Sequence, residues 1–288
     1  MSALRLHTQH ERSFETNRLV YPVLSRRSGG ISVGVNLNPD KICNFDCIYC
    51  QVNRREEGET QFVQTAGLLQ ELGETLELVT SGGLYEHPKF ASVPPALRRL
   101  NDIAFSGDGE PTTYKNFDEI IAACAALKRE RGLAGVKMVL ITNASMFHRP
   151  HVARGLEMLD ANNGEIWAKL DAGTAEYFHR IERTKIPFTR ILDNITAAAR
   201  VRPMVIQSLF MRVHGEPPAT DEITAYVGRL RDIAWQGGAI RHVQVYTVVR
   251  APAERFVAPL ADEELNTIRD RVIQEADMAA TAYYGATP

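Results

Sequence analysis

Six short runs rich in β-branched and apolar residues recur along the chain, and most are followed by a segment of helical pattern. This alternation limits the fold more than any other feature. The runs are "GISVGVNLN" from about 30, "DIAFSG" near 102, "GVKMVLITN" near 135, "EIWAKLD" near 165, "MVIQSLFMRV" near 204 and "HVQVYTVV" near 242. Between them, Leu68, Leu72, Leu76 and Val79 form a stripe at near-helical spacing. Pro150 is placed to open a helix carrying Val152, Leu156 and Leu159, and Thr220 to cap one carrying Ile223, Val227 and Leu230. "LADEELNTIRDRVIQ" reads as a last helix with an acidic first turn. Strand–helix alternation implies an α/β fold with a parallel sheet and right-handed crossovers. Nearly continuous apolar strands imply a sheet covered on both faces. Six units are too few for a complete eight-stranded barrel, so a doubly wound sheet and an open partial barrel both remain. In either, ligands gather at the C-terminal ends of the strands.

At 288 residues, 44% of them hydrophobic, the chain can bury a core without disulfides. No run approaches 18 apolar residues and the first residues are polar, so no membrane span is expected and a cytoplasmic location is. The balance of 33 basic and 35 acidic residues argues against a protein built to coat nucleic acid.

Three of the four cysteines, Cys43, Cys47 and Cys50, fall in "KICNFDCIYCQ" at the spacing C-x3-C-x2-C, directly after the first run. Such clustering suits a metal site or redox chemistry in a reducing compartment better than a disulfide framework. Cys124 shares a helical face with Ile120 and Leu127 and reads as a buried small apolar residue. Three thiolates without a fourth leave two options. A zinc site would need a histidine from elsewhere, whereas a four-iron cluster held by three thiolates leaves one iron open to another ligand. After the second run comes "FSGDGEPTTY", which by itself is a glycine turn.

Together the two motifs are more specific. C-x3-C-x2-C with Tyr49 before the last cysteine, followed by Gly107-Asp108-Gly109-Glu110 at the end of the second strand, resembles the radical S-adenosylmethionine (radical SAM) superfamily. The resemblance implies that Cys43, Cys47 and Cys50 hold a [4Fe-4S] cluster whose open iron binds the amino and carboxylate groups of SAM. It places Tyr49 near the adenine, lets backbone at Gly107 and Gly109 approach the methionine, and has Glu110 accept hydrogen bonds from its ammonium group. Asp108 departs from the commoner Gly-Gly-Glu. "ITNAS" resembles a Thr-Asn-Gly turn, which brings Thr142 and Asn143 to SAM. "AKLDAG" resembles a Ser-Leu-Asp segment with Lys169 replacing the serine, so that Lys169 either faces the SAM carboxylate or pairs with Asp171. The likeness covers about residues 30–250 and implies a partial (β/α)6 TIM-type barrel. It leaves 1–29 as an N-terminal extension and 251–288 as a C-terminal helix and tail packed on the barrel.

The implied chemistry is one-electron cleavage of SAM to methionine and a 5′-deoxyadenosyl radical, which removes hydrogen from a substrate. An electron donor such as flavodoxin or ferredoxin is implied as partner. "SVGVNLNPDKICNFDCIYCQ", "KLDAG" and "VQVYTVVRAPAE" are most like the branch containing tRNA wyosine-base synthases. Those enzymes use a second cluster on additional cysteines, for which this chain has none to spare, so the scaffold carries over and the substrate does not. Gln207, Arg212 and His214 on or after the fifth run, and Tyr246, Thr247 and Arg250 on the sixth, are the substrate-facing candidates. The alternatives are a tRNA-modifying member of the superfamily and a non-catalytic zinc or iron–sulfur module.

Overall fold

A computed structural model of the chain describes residues 13–54, 63–252 and 254–285. The chain divides into two compact units. The first takes the described parts of Met1–Cys43, Arg54–Ile141 and Arg149–Glu165, and the second takes those of Asn44–Asn53, Thr142–His148 and Ile166–Pro288.

In the first unit, β1 (Val20–Ser25) and β2 (Gly30–Val35) form an antiparallel hairpin, with Val20 opposite Val35. Parallel strands β3 (Leu100–Phe105) and β4 (Lys137–Thr142) extend it in the order β1-β2-β3-β4. β2 is buried at every residue, which accounts for its unbroken apolar run. The helices are α1 (Thr65–Thr80), α2 (Phe117–Glu130) and α3 (Pro150–Asp160). The stripe Leu68, Leu72, Leu76 and Val79 is the buried face of α1. Pro150 opens α3, where its missing N–H costs nothing. β1 was not legible as part of a sheet. It is held by the Glu71 carboxylate of α1, which accepts from the backbone N–H groups of Leu19 and Val20 at 2.8 and 3.0 Å. Lys128 is buried on α2 because its ammonium donates to the carbonyls of Ala134, Val136 and Asn162 at 3.3, 2.7 and 2.7 Å. Cys124 is fully buried, as its helical face implies.

The second unit is built from β5 (Gly164–Lys169, whose first two residues belong to the first unit), α4 (Ala175–Glu182), α5 (Phe188–Val201), β6 (Met204–Leu209), β7 (Met211–Val213), α6 (Thr220–Trp235), β8 (Ile240–Tyr246), β9 (Val257–Pro259), α7 (Asp262–Ala276) and β10 (Ala280–Tyr283). Its parallel strands run in the order β5-β6-β8-β10, and β7 pairs antiparallel with β9. Thr220 does not cap α6. Ala219 holds that position with an extended backbone, and the Thr220 carbonyl accepts from the Thr224 hydroxyl inside the helix. All six strand-like runs are strands, in an α/β alternation. Among the described residues no helix is long and apolar enough to cross a membrane.

Candidate active site

The candidate residues stand at the C-terminal ends of the parallel strands. In the first unit, the chain leaves β2 through Asn36 and Asn38, both buried. Asn36 Nδ2 donates to Asp108 Oδ2 at 2.7 Å, and Asn36 Oδ1 accepts from the backbone N–H groups of Asn38 and Asp108 at 3.0 and 3.1 Å. Asp108, which departs from the expected motif, thus ties the turn after β3 to the exit of β2. The glycines of that turn follow from crowding. A Cβ on Gly107 would overlap Asn36, and one on Gly109 would overlap the Ile42 carbonyl oxygen and the Asn38 side chain. Ile42 precedes Cys43, so Gly109 lets the turn lie flat against the start of the cysteine loop. Glu110 is buried and accepts from Thr112 N at 3.2 Å and Thr112 Oγ1 at 2.5 Å. Cys43 is partly exposed.

The rest of the cysteine loop belongs to the second unit. Cys50 N donates to Cys47 O at 2.9 Å, closing a tight turn between two ligand candidates. Cys47 Sγ lies 2.6 Å from Glu182 Oε2. The Tyr49 hydroxyl donates to Asp171 Oδ2 at 2.5 Å and lies 2.9 and 3.1 Å from the two Glu182 carboxyl oxygens. The Lys169 ammonium stands 2.8 Å from Asp171 Oδ2 and donates to the Tyr246 hydroxyl at 3.0 Å. It also lies over the rings of Tyr49 and Tyr246, at 4.9 and 5.4 Å from their centroids. Both sequence alternatives for Lys169 therefore bear on one side chain: it is paired with Asp171, and it is still 19% exposed.

These contacts set the charges. Burial works against the Lys169 cation, but Asp171, Tyr246 and Glu182 outweigh it and hold the ammonium protonated well above the ordinary lysine range. Burial, reinforced by the Asp171 charge, pushes Glu182 up to about 8. Burial, then Asp171, raises the Tyr49 phenol, and burial, then Glu182, raises the Cys47 thiol of the metal-free protein.

Thr142 and Asn143 shape the turn after β4. Thr142 Oγ1 accepts from Ala144 N at 3.0 Å and Asn143 Oδ1 from Ser145 N at 3.0 Å, around Ala144 at φ 60°. Asn143 Nδ2 also donates to Asn44 Oδ1 at 2.8 Å, next to Cys43 in the chain.

The substrate candidates have separate partners. Gln207 is fully buried and donates to Gln244 Oε1 at 2.7 Å, while its own Oε1 has no partner among the described residues. Arg212 pairs with Glu264 at 2.5 Å and donates to Gly215 O at 2.7 Å. His214 stacks on Phe256 with ring centroids 4.5 Å apart. Thr247 accepts from Leu260 N at 2.9 Å, and Arg250 is half-buried in the loop after β8. Sequence reading missed Glu182, Asn36 and Asn44. Glu182 carried a signal: with Phe178 and Ile181 it shares the buried face of α4.

Among the described residues no group of three or more histidine, cysteine, aspartate or glutamate side chains is gathered to hold a metal ion. The donor set nevertheless fits an iron–sulfur cluster. Cys43, Cys47 and Cys50 are in no disulfide and partly exposed on one loop after β2, whereas Cys124 is buried. The Gly109 cradle supports the same loop at its start.

Comparison with known proteins agrees. Residues 37–214 match the profile of the Radical SAM superfamily. A UPF0026 protein of Helicobacter pylori is 25% identical over 249 residues, covering 85% of this chain and 70% of that protein. The chain spans 33%, 70% and 48% of the length of the first three curated relatives it matches. A radical SAM methyltransferase from Sphaerobacter thermophilus superposes with a TM-score of 0.64 at 12% identity, over 92% of this chain and 69% of that one. TYW1, solved with a lysine-pyruvate adduct bound, gives 0.53 at 17% identity, over 85% and 74%. The shared fold is the partial (β/α)6 TIM-type barrel of the superfamily core, and the neighbours include the wyosine synthase branch.

Proposed function

The chain belongs to the radical SAM superfamily, and we propose that it is an enzyme in which Cys43, Cys47 and Cys50 hold a [4Fe-4S] cluster and the strand ends bind SAM. The observation that carries this reading is the pairing of a loop of three thiols, none in a disulfide, with a glycine turn whose Gly109 has room for no side chain beside Ile42. When bound, the cluster and SAM supply a 5′-deoxyadenosyl radical that takes a hydrogen atom from a substrate carbon.

The chain's own residues bind and orient. Gly107 and Gly109 leave backbone free for the methionine part of SAM, and Asp108 holds their turn to Asn36. Glu110 accepts from the methionine ammonium in this reading, exchanging its bonds to Thr112. Thr142 and Asn143 present the turn after β4. Tyr49 lines the adenine side, anchored through Asp171.

Lys169 serves as a fixed cation for the SAM carboxylate. A lysine that condenses with a carbonyl needs a free amine, and ion pairing with Asp171 denies Lys169 that form. Pairing with Asp171 thus favours a charge-holding role for Lys169 over an adduct like that of TYW1. Gln207, Tyr246 and Arg250 remain the substrate-side candidates, while Arg212 serves first to hold Glu264. An electron donor such as flavodoxin or ferredoxin supplies the electron, and a reducing compartment keeps the thiols available.

A tRNA substrate is the second reading, carried by the segments that resemble the wyosine branch. Binding of tRNA that weakens steeply with salt would support it.

The test is anaerobic reconstitution with iron and sulfide. Wild type is expected to take up about four irons per chain and to bind SAM in calorimetry, with both lost in C43A, C47A and C50A. Zinc bound in place of iron, with no SAM heat, would overturn the reading.

A further inference from the structure

We propose that the last turn of α4 is the positioning device for the cysteine loop, and that Glu182 fixes where Cys47 and Tyr49 stand. The inference rests on the reading of Cys47 as a cluster ligand.

Helix C-termini leave carbonyls without intrahelical partners. Here those of Ile181 and Glu182 accept from the loop amides of Ile48 and Asp46, at 2.8 and 3.1 Å. The Thr184 hydroxyl donates to Asn44 O at 3.0 Å, and Phe45 meets Phe178 edge-on with centroids 5.8 Å apart. The loop is therefore tied to α4 by backbone bonds on both sides of Cys47.

The Glu182 side chain adds what the backbone cannot. It is 2% exposed and makes no direct ion pair among the described residues, the Lys169 cation acting on it only from a longer distance. Burying a carboxyl without a directly paired cation is costly, and Phe178 and Ile181 show that apolar residues satisfy the same helix face. Its two carboxyl oxygens face the loop, with Cys47 Sγ at 2.6 Å and the Tyr49 hydroxyl at 2.9 and 3.1 Å, and Asp171 lies beside them. One side chain thus sets the spacing between a cluster sulfur and the aromatic ring beside it. Partners of this kind orient metal ligands and tune the metal.

The experiment compares reconstituted full-length wild type, E182A, E182Q and C47A for iron retention against a chelator, reduction midpoint and the electron paramagnetic resonance of the reduced cluster. E182A should retain iron about 10- to 100-fold less well, with a shifted midpoint and altered resonance. E182Q keeps the size of the side chain and offers an N–H to the sulfur, and should restore all three towards wild type. Wild-type retention and resonance in E182A would overturn the inference. If E182A fails to fold, Y49F, which removes the tyrosine hydroxyl from both Glu182 and Asp171, must show the altered resonance, and a wild-type signal there overturns the inference equally. C47A separates the two claims: if it keeps its iron, the ligand reading itself fails and this inference with it.

Discussion

Tyr49 and Asp171 are 122 residues apart in the sequence, yet the tyrosine hydroxyl donates to Asp171 Oδ2 at 2.5 Å. Asp171 Oδ1 in turn accepts from the backbone N–H of Leu209 at 2.7 Å, so the bond joins the cysteine loop to the ends of β5 and β6. Lys169 completes the set as the one cation paired with Asp171 among the described residues.

Removing that hydroxyl leaves buried carboxyl oxygens without their donor. Y49F should lose about 1.5–3 kcal/mol of stability, the usual cost for a hydrogen bond to a charged group. Urea unfolding that gives the wild-type midpoint would show the bond to be energetically idle.

The Gly109 cradle predicts a sharp positional contrast. A Cβ on Gly109 meets the Ile42 carbonyl, while one on Gly135 meets nothing within 4 Å. G109A should weaken SAM binding at least about tenfold, or ~1.4 kcal/mol, and G135A should leave it unchanged. Equal SAM heats from the two variants would remove the steric argument.

Thiol reactivity follows exposure and acidity. In the native metal-free protein, Cys43 and Cys50 should alkylate first. Cys47, although partly exposed as a residue, should react more slowly, because the enclosure of its sulfur and the Glu182 carboxylate beside it raise its thiol. Burial lifts Cys124 to about 12, and it should react only on unfolding. Peptide mapping over a time course checks the order, and early labelling of Cys124 would contradict the assigned packing of α2.

These residues also show what was legible in the sequence. β2, β3, β4, β5, β6 and β8 announced themselves because strands covered on both faces read as unbroken apolar runs. β1 did not, because Pro22 interrupts its apolar run, and β10 did not, because it has only four residues and pairs on one side with β8. The thiols and glycines were legible because their chemistry admits few substitutes. Glu182 was not, because "FHRIER" reads as an ordinary surface helix end until the cysteine loop closes over it. Gln207 was singled out as a polar residue in an apolar strand, but its partner Gln244 lies on a strand 37 residues away.

Asp102 gives a pH dependence. Burial raises its carboxyl above the ordinary range, against the pull of the Ser32 hydroxyl bonded to it. The folded state therefore binds this proton more tightly than the unfolded chain, where the pKa is about 3.9. The stabilising contribution is full below that pH and is lost as pH rises through the folded value. D102N, which keeps an acceptor for Ser32, should gain on wild type in melting temperature as pH rises from about 4 through the raised pKa of Asp102. Parallel curves for the two proteins over that range would refute the assignment.

The most direct test of the central claim is the release of 5′-deoxyadenosine from SAM by the reconstituted, reduced protein, set against the triple variant C43A/C47A/C50A. The account predicts 5′-deoxyadenosine from wild type and none from the variant. Equal amounts from both, or none from a wild type that carries its cluster and binds SAM in the presence of tRNA and cell-extract metabolites, would contradict it.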